Sequence, residues 1–138
     1  MLLLAASAVA LIGATPVARL DVDFDQVRSD KGMLRICLTA APDNFPTCVD
    51  DHNATRRSVS AGTGTLQFDG LPHGSYAVAV IHDENGNKKL DTFAGIPREG
   101  FGFSRNPPIR FGPPRFAAAR FSINSDAEKQ HVKLRYIL

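Results

Sequence analysis

Neither sign of charge dominates this chain: 16 Lys and Arg against 14 Asp and Glu leave a formal net charge of +2, and the basic residues are scattered rather than striped. That excludes the one-sided field with which nucleic-acid binders gather phosphates. Only two cysteines occur, Cys37 and Cys48. They lack the C-x-x-C spacing of a redox pair, and with His52 alone nearby they cannot supply the four ligands of a structural zinc site. No apolar run reaches the length of about 18 residues that a membrane helix needs. No stretch carries a helical hydrophobic face, and there is no internal repeat or low-complexity tail. The glycine motifs "GTGTLQ" and "GFGFSR" each lack the third glycine of a dinucleotide fingerprint.

What is present fits one exported domain. With 138 residues, 43% hydrophobic and 22% charged, the chain has the size and composition of a single globular core. The opening MLLLAASAVALIGA has the length of the apolar region of a secretory signal, which predicts a leader over residues 1–18 and a domain over 19–138. No Lys or Arg precedes the run, and Pro16 stands where a cleavage site wants a small residue, so a buried first strand or helix is the competing reading. In an exported chain, Cys37 and Cys48 are expected to form a disulfide closing a short loop.

Apolar residues then alternate with period two in "RLDVDF", "MLRICLTA", "GTLQFDG", "SYAVAVIHD", "ARFSIN" and "HVKLRYIL", which predicts strands. Leu34, Ile36 and Leu38 share one face of the second, with Arg35, Cys37 and Thr39 on the other. In the fourth, Tyr76, Val78 and Val80 oppose Ala77, Ala79 and Ile81, so that strand has two apolar faces and belongs in the centre. Turn signals separate the runs. The expected fold is an all-β antiparallel sandwich of about seven strands with Greek-key connections, and a small barrel is the runner-up.

Two stretches invite a functional reading. In "HDENGNKKLD", Asp83, Asn85, Asn87 and Asp91, with the carbonyl of Lys89, alternate in the way that delivers oxygens to a hard cation. No Gly stands at the sixth position and no Glu at the twelfth, so this is not an EF-hand. With two ionised ligands, calcium affinity is expected on the order of 10⁻⁴ to 10⁻³ M. An Asx-rich hairpin turn around Asn85-Gly86 without metal explains the same residues apart from Asp91. Residues 93 to 115 form the second stretch, too long for an ordinary connection and rich in Gly, Pro and Phe. Phe101, Phe103, Phe111 and Phe116, rimmed by Arg98, Arg105 and Arg110, read either as a platform for a sugar, peptide or lipid or as core plugging one end of the sandwich. "GFSRN" is a poor nucleophile elbow, lacking its closing Gly. It leaves a small secreted hydrolase, with Ser104 served by His82 and Asp83, as the alternative to a non-catalytic module.

"FDGLPHGSYAVAVIHDENGN" resembles the opening of a strand in prealbumin-like sandwiches, among them the B repeats of surface adhesins. More closely, "HDENGNKKLDTFAGIPREGFGFSRN" followed by "FGPPRFAAARFSI" is similar to an exported bacterial family known as domain of unknown function 2141, a likeness covering most of residues 31 to 124. That resemblance implies a periplasmic or secreted sandwich without a membrane span in the mature chain, and it brings no catalytic residues. The function expected is an envelope or surface module, binding a glycan or another envelope protein. Thermal unfolding in millimolar calcium against chelator decides between the two readings of the 83–91 loop. At ten times its dissociation constant, a calcium ion bound only by the folded chain adds about 1.4 kcal/mol, and an Asp83→Ala, Asp91→Ala double variant abolishes that gain.

Overall fold

The alternating segments become strands, and β5 (Gly74–Asp83) organises them. A computed structural model describes residues 15–49, 54–87, 92–93, 96–97 and 99–137, for 92–93 and 96–97 the backbone alone. The strands ahead of β5 are β1 (Val17–Asp25), β2 (Met33–Thr39), β3 (Thr55–Ser60) and β4 (Thr65–Pro72). Beyond it come a two-residue hairpin of β6 (Thr92–Phe93) and β7 (Ile96–Pro97), then β8 (Gly100–Phe103). A one-turn helix α1 (Phe116–Ala119), β9 (Phe121–Ile123) and β10 (Ala127–Lys133) complete the fold. Val17 and Ala18 belong to β1, so the sandwich begins two residues ahead of the expected boundary; residues 1–14 lie outside the described residues. Among the described residues no helix is long and apolar enough to cross a membrane.

Two sheets face each other, one ordered β10-β1-β4 and the other β3-β2-β5-β8, with β9 pairing the first residues of β5. The expected β-sandwich is therefore present. One pair departs from the antiparallel expectation, because β10 runs parallel to β1 from Arg19↔Ala127 to Asp25↔Lys133. Besides the two-residue β6 and β7, two strands were not read from the sequence. β3, "TRRSVS", is an edge strand with mostly exposed side chains and shows no apolar alternation. β8, "GFGF", looked like loop because glycine disfavours strands.

The core between the sheets takes one face of every long strand: Leu20, Val22 and Phe24 from β1, Leu34, Ile36 and Leu38 from β2, Phe68 from β4, Val78 and Val80 from β5. β9 and the end of the chain add Phe121, Ile123, Val132 and Leu134. A second cluster covers the opposite face of the β5 sheet, where Ala77, Ala79, Phe101 and Phe103 meet Phe116, Ala119 and the Cys37–Cys48 disulfide. β5 is thus buried on both faces, as its two apolar faces predict. The disulfide joins β2 to the loop that follows it, and with Phe45 that loop lies over the second cluster.

Glycine in β8 is a matter of close approach. The chain beyond β10 crosses beneath β8, exchanging backbone hydrogen bonds between Arg135 and Phe101 at 2.8 and 3.1 Å. A Cβ on Gly100 would clash with the Tyr136 ring, and one on Gly102 would sit 2.7 Å from Val132 Cγ1 and 2.9 Å from the Lys133 carbonyl oxygen. The repeat in "GFGF" therefore places glycine toward the crossing chain and phenylalanine toward the outer cluster. Gly102→Ala is expected to cost about 1–3 kcal/mol through overpacking. Gly64→Ala, whose Cβ would meet nothing within 4 Å, is the control, and denaturant unfolding of both variants measures the difference.

Candidate functional site

Strand alternation separates residues that are adjacent in sequence. His82 is fully buried on the sandwich side, where its Nε2 lies 2.7 Å from the Lys31 carbonyl and its Nδ1 2.7 Å from the Tyr136 hydroxyl. A carbonyl only accepts, so Nε2 carries the proton and Nδ1 accepts from Tyr136, whose oxygen in turn accepts the Arg28 N–H at 3.2 Å. Burial raises the Tyr136 hydroxyl above its ordinary 10.0 and keeps it a donor. Asp83 is equally buried but serves the opposite face: its Oδ2 accepts from Arg35 Nε at 2.8 Å. Asp83 therefore does not orient His82.

Ser104 is not presented to either. Its hydroxyl donates to the Ala119 carbonyl at 2.5 Å and accepts from the Val78 N–H at 2.9 Å, in full burial. Val78 lies four residues from His82 along β5, a distance of about 13 Å at strand rise. The Ser104, His82 and Asp83 constellation is not assembled in this fold. What Ser104 does is pin the end of α1 to β5, closing the segment 105–118 into a loop tied at its base. Asn106 anchors the same segment from the other side, donating to the His131 carbonyl and accepting the Lys133 N–H, both at 2.9 Å, as a neighbouring strand would.

The turn after β5 has Asx geometry. Asn87 N–H points at Asp83 Oδ1 (3.2 Å) and Asn85 Oδ1 (3.1 Å), and Gly86 N–H at the Asp83 carbonyl at 3.4 Å. A cation here would compete with Arg35 for Oδ2 and with a backbone N–H for Oδ1. Lys89 and Asp91 lie outside the described residues. Glu84 leaves the turn sideways to meet Arg28, whose Nε donates to Oε1 at 2.8 Å, while Ser29 donates to Oε2 at 3.1 Å.

The phenylalanines divide. Phe101 and Phe103 are buried in the outer cluster, and Phe45 stands edge-on to Phe103 and Phe116 with centroids 5.8 and 6.1 Å apart. Phe111 is wholly exposed at the tip of the 105–118 loop, and Arg105 is exposed in a tight turn with φ +64°. The four do not form one platform.

Phe101 and Phe103 do border one cleft. Over the outer face of the β5 sheet, between the disulfide loop and the 105–118 loop, lies a cleft of about 1100 Å³. Registered pairing sets its floor in two rows across the strands: Arg56, Cys37, Ala79 and Phe103 in one, and Ser58, Arg35, Ile81 and Phe101 in the other. Small Cys37 and Ala79 at mid-row leave the space that larger side chains would fill. Pro46 and Val49 wall one side, Ile109 and Pro113 the other, and Ile137 reaches in from the end of the chain. Of the four large hydrophobic residues most exposed among the described ones, Val49 and Ile137 line this cleft and Phe111 stands between its lining residues Arg110 and Gly112. Apolar exposure concentrated at one opening marks a contact surface. The disulfide was legible as Cys37–Cys48 and the outer row of β5 as the second face of a two-faced strand, whereas β8 was read as loop. Arg56 was missed, since an edge strand without apolar alternation gave no reason to place it beside Cys37.

A family model described as an uncharacterized protein conserved in bacteria, domain of unknown function 2141, matches residues 22–131. The chain belongs to that family. The match spans both sheets and all of the cleft except Ile137. No curated protein and no solved structure matches the chain, so the prealbumin-like resemblance rests on its sequence motif.

Arg28 holds the Glu84 carboxyl below its ordinary 4.5, with Ser29 assisting. A depressed carboxylate contributes stability that is fully present above its unfolded value and lost as pH falls through the folded one. Stability is expected to decline below about pH 4.5, and Glu84→Gln to flatten that decline by up to about 1 kcal/mol, the range of an exposed pair. Urea unfolding across pH 3 to 6 measures it.

Proposed function

We propose that this member of the family is an exported, non-catalytic binding module of the bacterial envelope, and that the cleft over the outer face of the β5 sheet is its binding site. The observation that carries the reading is the cleft itself: a concave, mainly apolar floor built on a rigid sheet, with a few polar groups at one side and exposed apolar residues at the opening. Binding sites have that composition. Export is supported by the apolar opening segment and by the buried Cys37–Cys48 bridge, which suits an oxidising compartment.

Of the partner classes expected from the sequence, a glycan wants open aromatic faces and many polar donors, whereas Phe101 and Phe103 offer little exposed ring. The floor favours an apolar occupant. A calcium ion in the 83–91 loop is a separate proposal, confined to stabilising the turn and tested by the calcium-dependent melt. Hydrolysis at Ser104 is not supported, because its hydroxyl is committed to Ala119 and Val78.

Nile red, a neutral apolar dye, tests the site without reference to charge. Its fluorescence is expected to rise with the folded chain and to fall several-fold in Ala79→Leu, which fills the floor at an overpacking cost of about 1–3 kcal/mol. A circular dichroism melt shows whether that variant is folded at the assay temperature. A parent chain that leaves the dye unchanged sinks the reading.

A further inference from the structure

Across the floor of the cleft, chemistry changes with strand position. The β3 side carries Arg56 and Ser58, the middle carries Cys37, Ala79 and Ile81, and the β8 side carries Phe103 and Phe101. Three interstrand spacings make this gradient about 14 Å long. A polar end, an aliphatic middle and an aromatic end are the complement of an amphiphile lying across the strands.

The charge of that polar end can be assigned. Four arginines line the cleft, and among its described lining residues there is no Asp or Glu. Two of the four are accounted for. Arg35 pairs with buried Asp83 at 2.8 Å and donates to Ser58 Oγ at 2.7 Å. Arg57 faces the sandwich side of β3, its guanidinium 5.6 Å from the centre of the Phe68 ring. Arg56 shares the cleft face with Cys37, opposite it in register, and Arg110 overhangs from the 105–118 loop. Both are exposed, and among the described residues neither has an ion pair or a hydrogen-bond partner for its guanidinium. Arg56, uncompensated at the β3 edge of an apolar floor, lowers the cost of placing an anion at that end, and Arg110 adds a second uncompensated positive charge over the same cleft.

We infer that the cleft selects a single-chain amphiphile with an anionic end, a medium-chain carboxylate in the simplest case. The chain lies over Ala79 toward Phe101 and Phe103, Arg56 meets the carboxylate at the β3 end, and Arg110 adds positive charge over the cleft. This rests on the cleft being a binding site, as proposed above, and adds the class of ligand.

Displacement of Nile red from the full chain by dodecanoate, dodecanol and dodecyltrimethylammonium, each below its micellar concentration, tests the inference. Dodecanoate is expected to displace the dye at about three- to fivefold lower concentration than dodecanol, the effect of one exposed ion pair with a second cation over the cleft, with the ammonium weakest. In Arg56→Gln, Arg110→Gln the carboxylate is expected to fall to the level of the alcohol while dye binding persists. Both substitutions are on the surface and leave the core untouched. Equal displacement by acid and alcohol in the parent, or a preference that survives the double variant, overturns the charge assignment and leaves the cleft as a binding site. Displacement by an apolar peptide or an oligosaccharide, and by none of the amphiphiles, overturns it in favour of that partner class. Absence of dye binding to the parent fails the earlier reading instead.

Discussion

β5 has no face to give to water. Val78 and Val80 on one side and Ala77 and Ala79 on the other are all buried, so the sheet that contains this strand must be covered twice. The first cover is the opposing sheet of β10, β1 and β4. The second is not another sheet among the described residues, where loops and a one-turn helix cover that side. Those pieces have too little regular structure to hold themselves down, and each is fastened individually: the 37–48 loop by a disulfide, the 105–118 loop by Ser104 and Asn106. A cover made of fastened loops over small residues leaves a hollow where a second sheet would have packed it shut.

How far the sequence reveals this differs by element. Alternation in "MLRICLT" and "SYAVAVIHD" identifies the strands and their faces, because a half-buried or doubly buried strand writes its surroundings into every second residue. The pairing of Cys37 with Cys48 is legible because two cysteines joined within one chain have one way to pair. β3 is illegible because an edge strand answers mainly to backbone pairing, and "TRRSVS" meets that with almost any residue. β8 is misread because its glycines answer to Tyr136 and Val132, distant in sequence. The parallel pairing of β10 with β1 leaves no local trace, since side-chain period is the same in either direction.

The candidate site follows the same rule. Residues adjacent in sequence, His82 and Asp83, were grouped as partners, yet strand geometry sends one to the core and the other to Arg35. Residues far apart, Arg56 and Phe103, lie at opposite ends of one row because β3, β2, β5 and β8 are in register. A sheet gathers a site across strands, whereas spacing along the chain gathers it only on one.

The hydroxyl of Ser104 bonds the end of α1 to β5, so the loop from 105 to 118 leaves and rejoins the sandwich at nearly the same place. What happens at its tip is mechanically isolated from the core. Residues 110 to 113, exposed beyond Ile109, can lengthen, shorten or change composition without shifting a core strand, and Arg110 and Phe111 travel with them. Within a family held to one architecture, this is where members can diverge in what they carry while the scaffold is inherited unchanged.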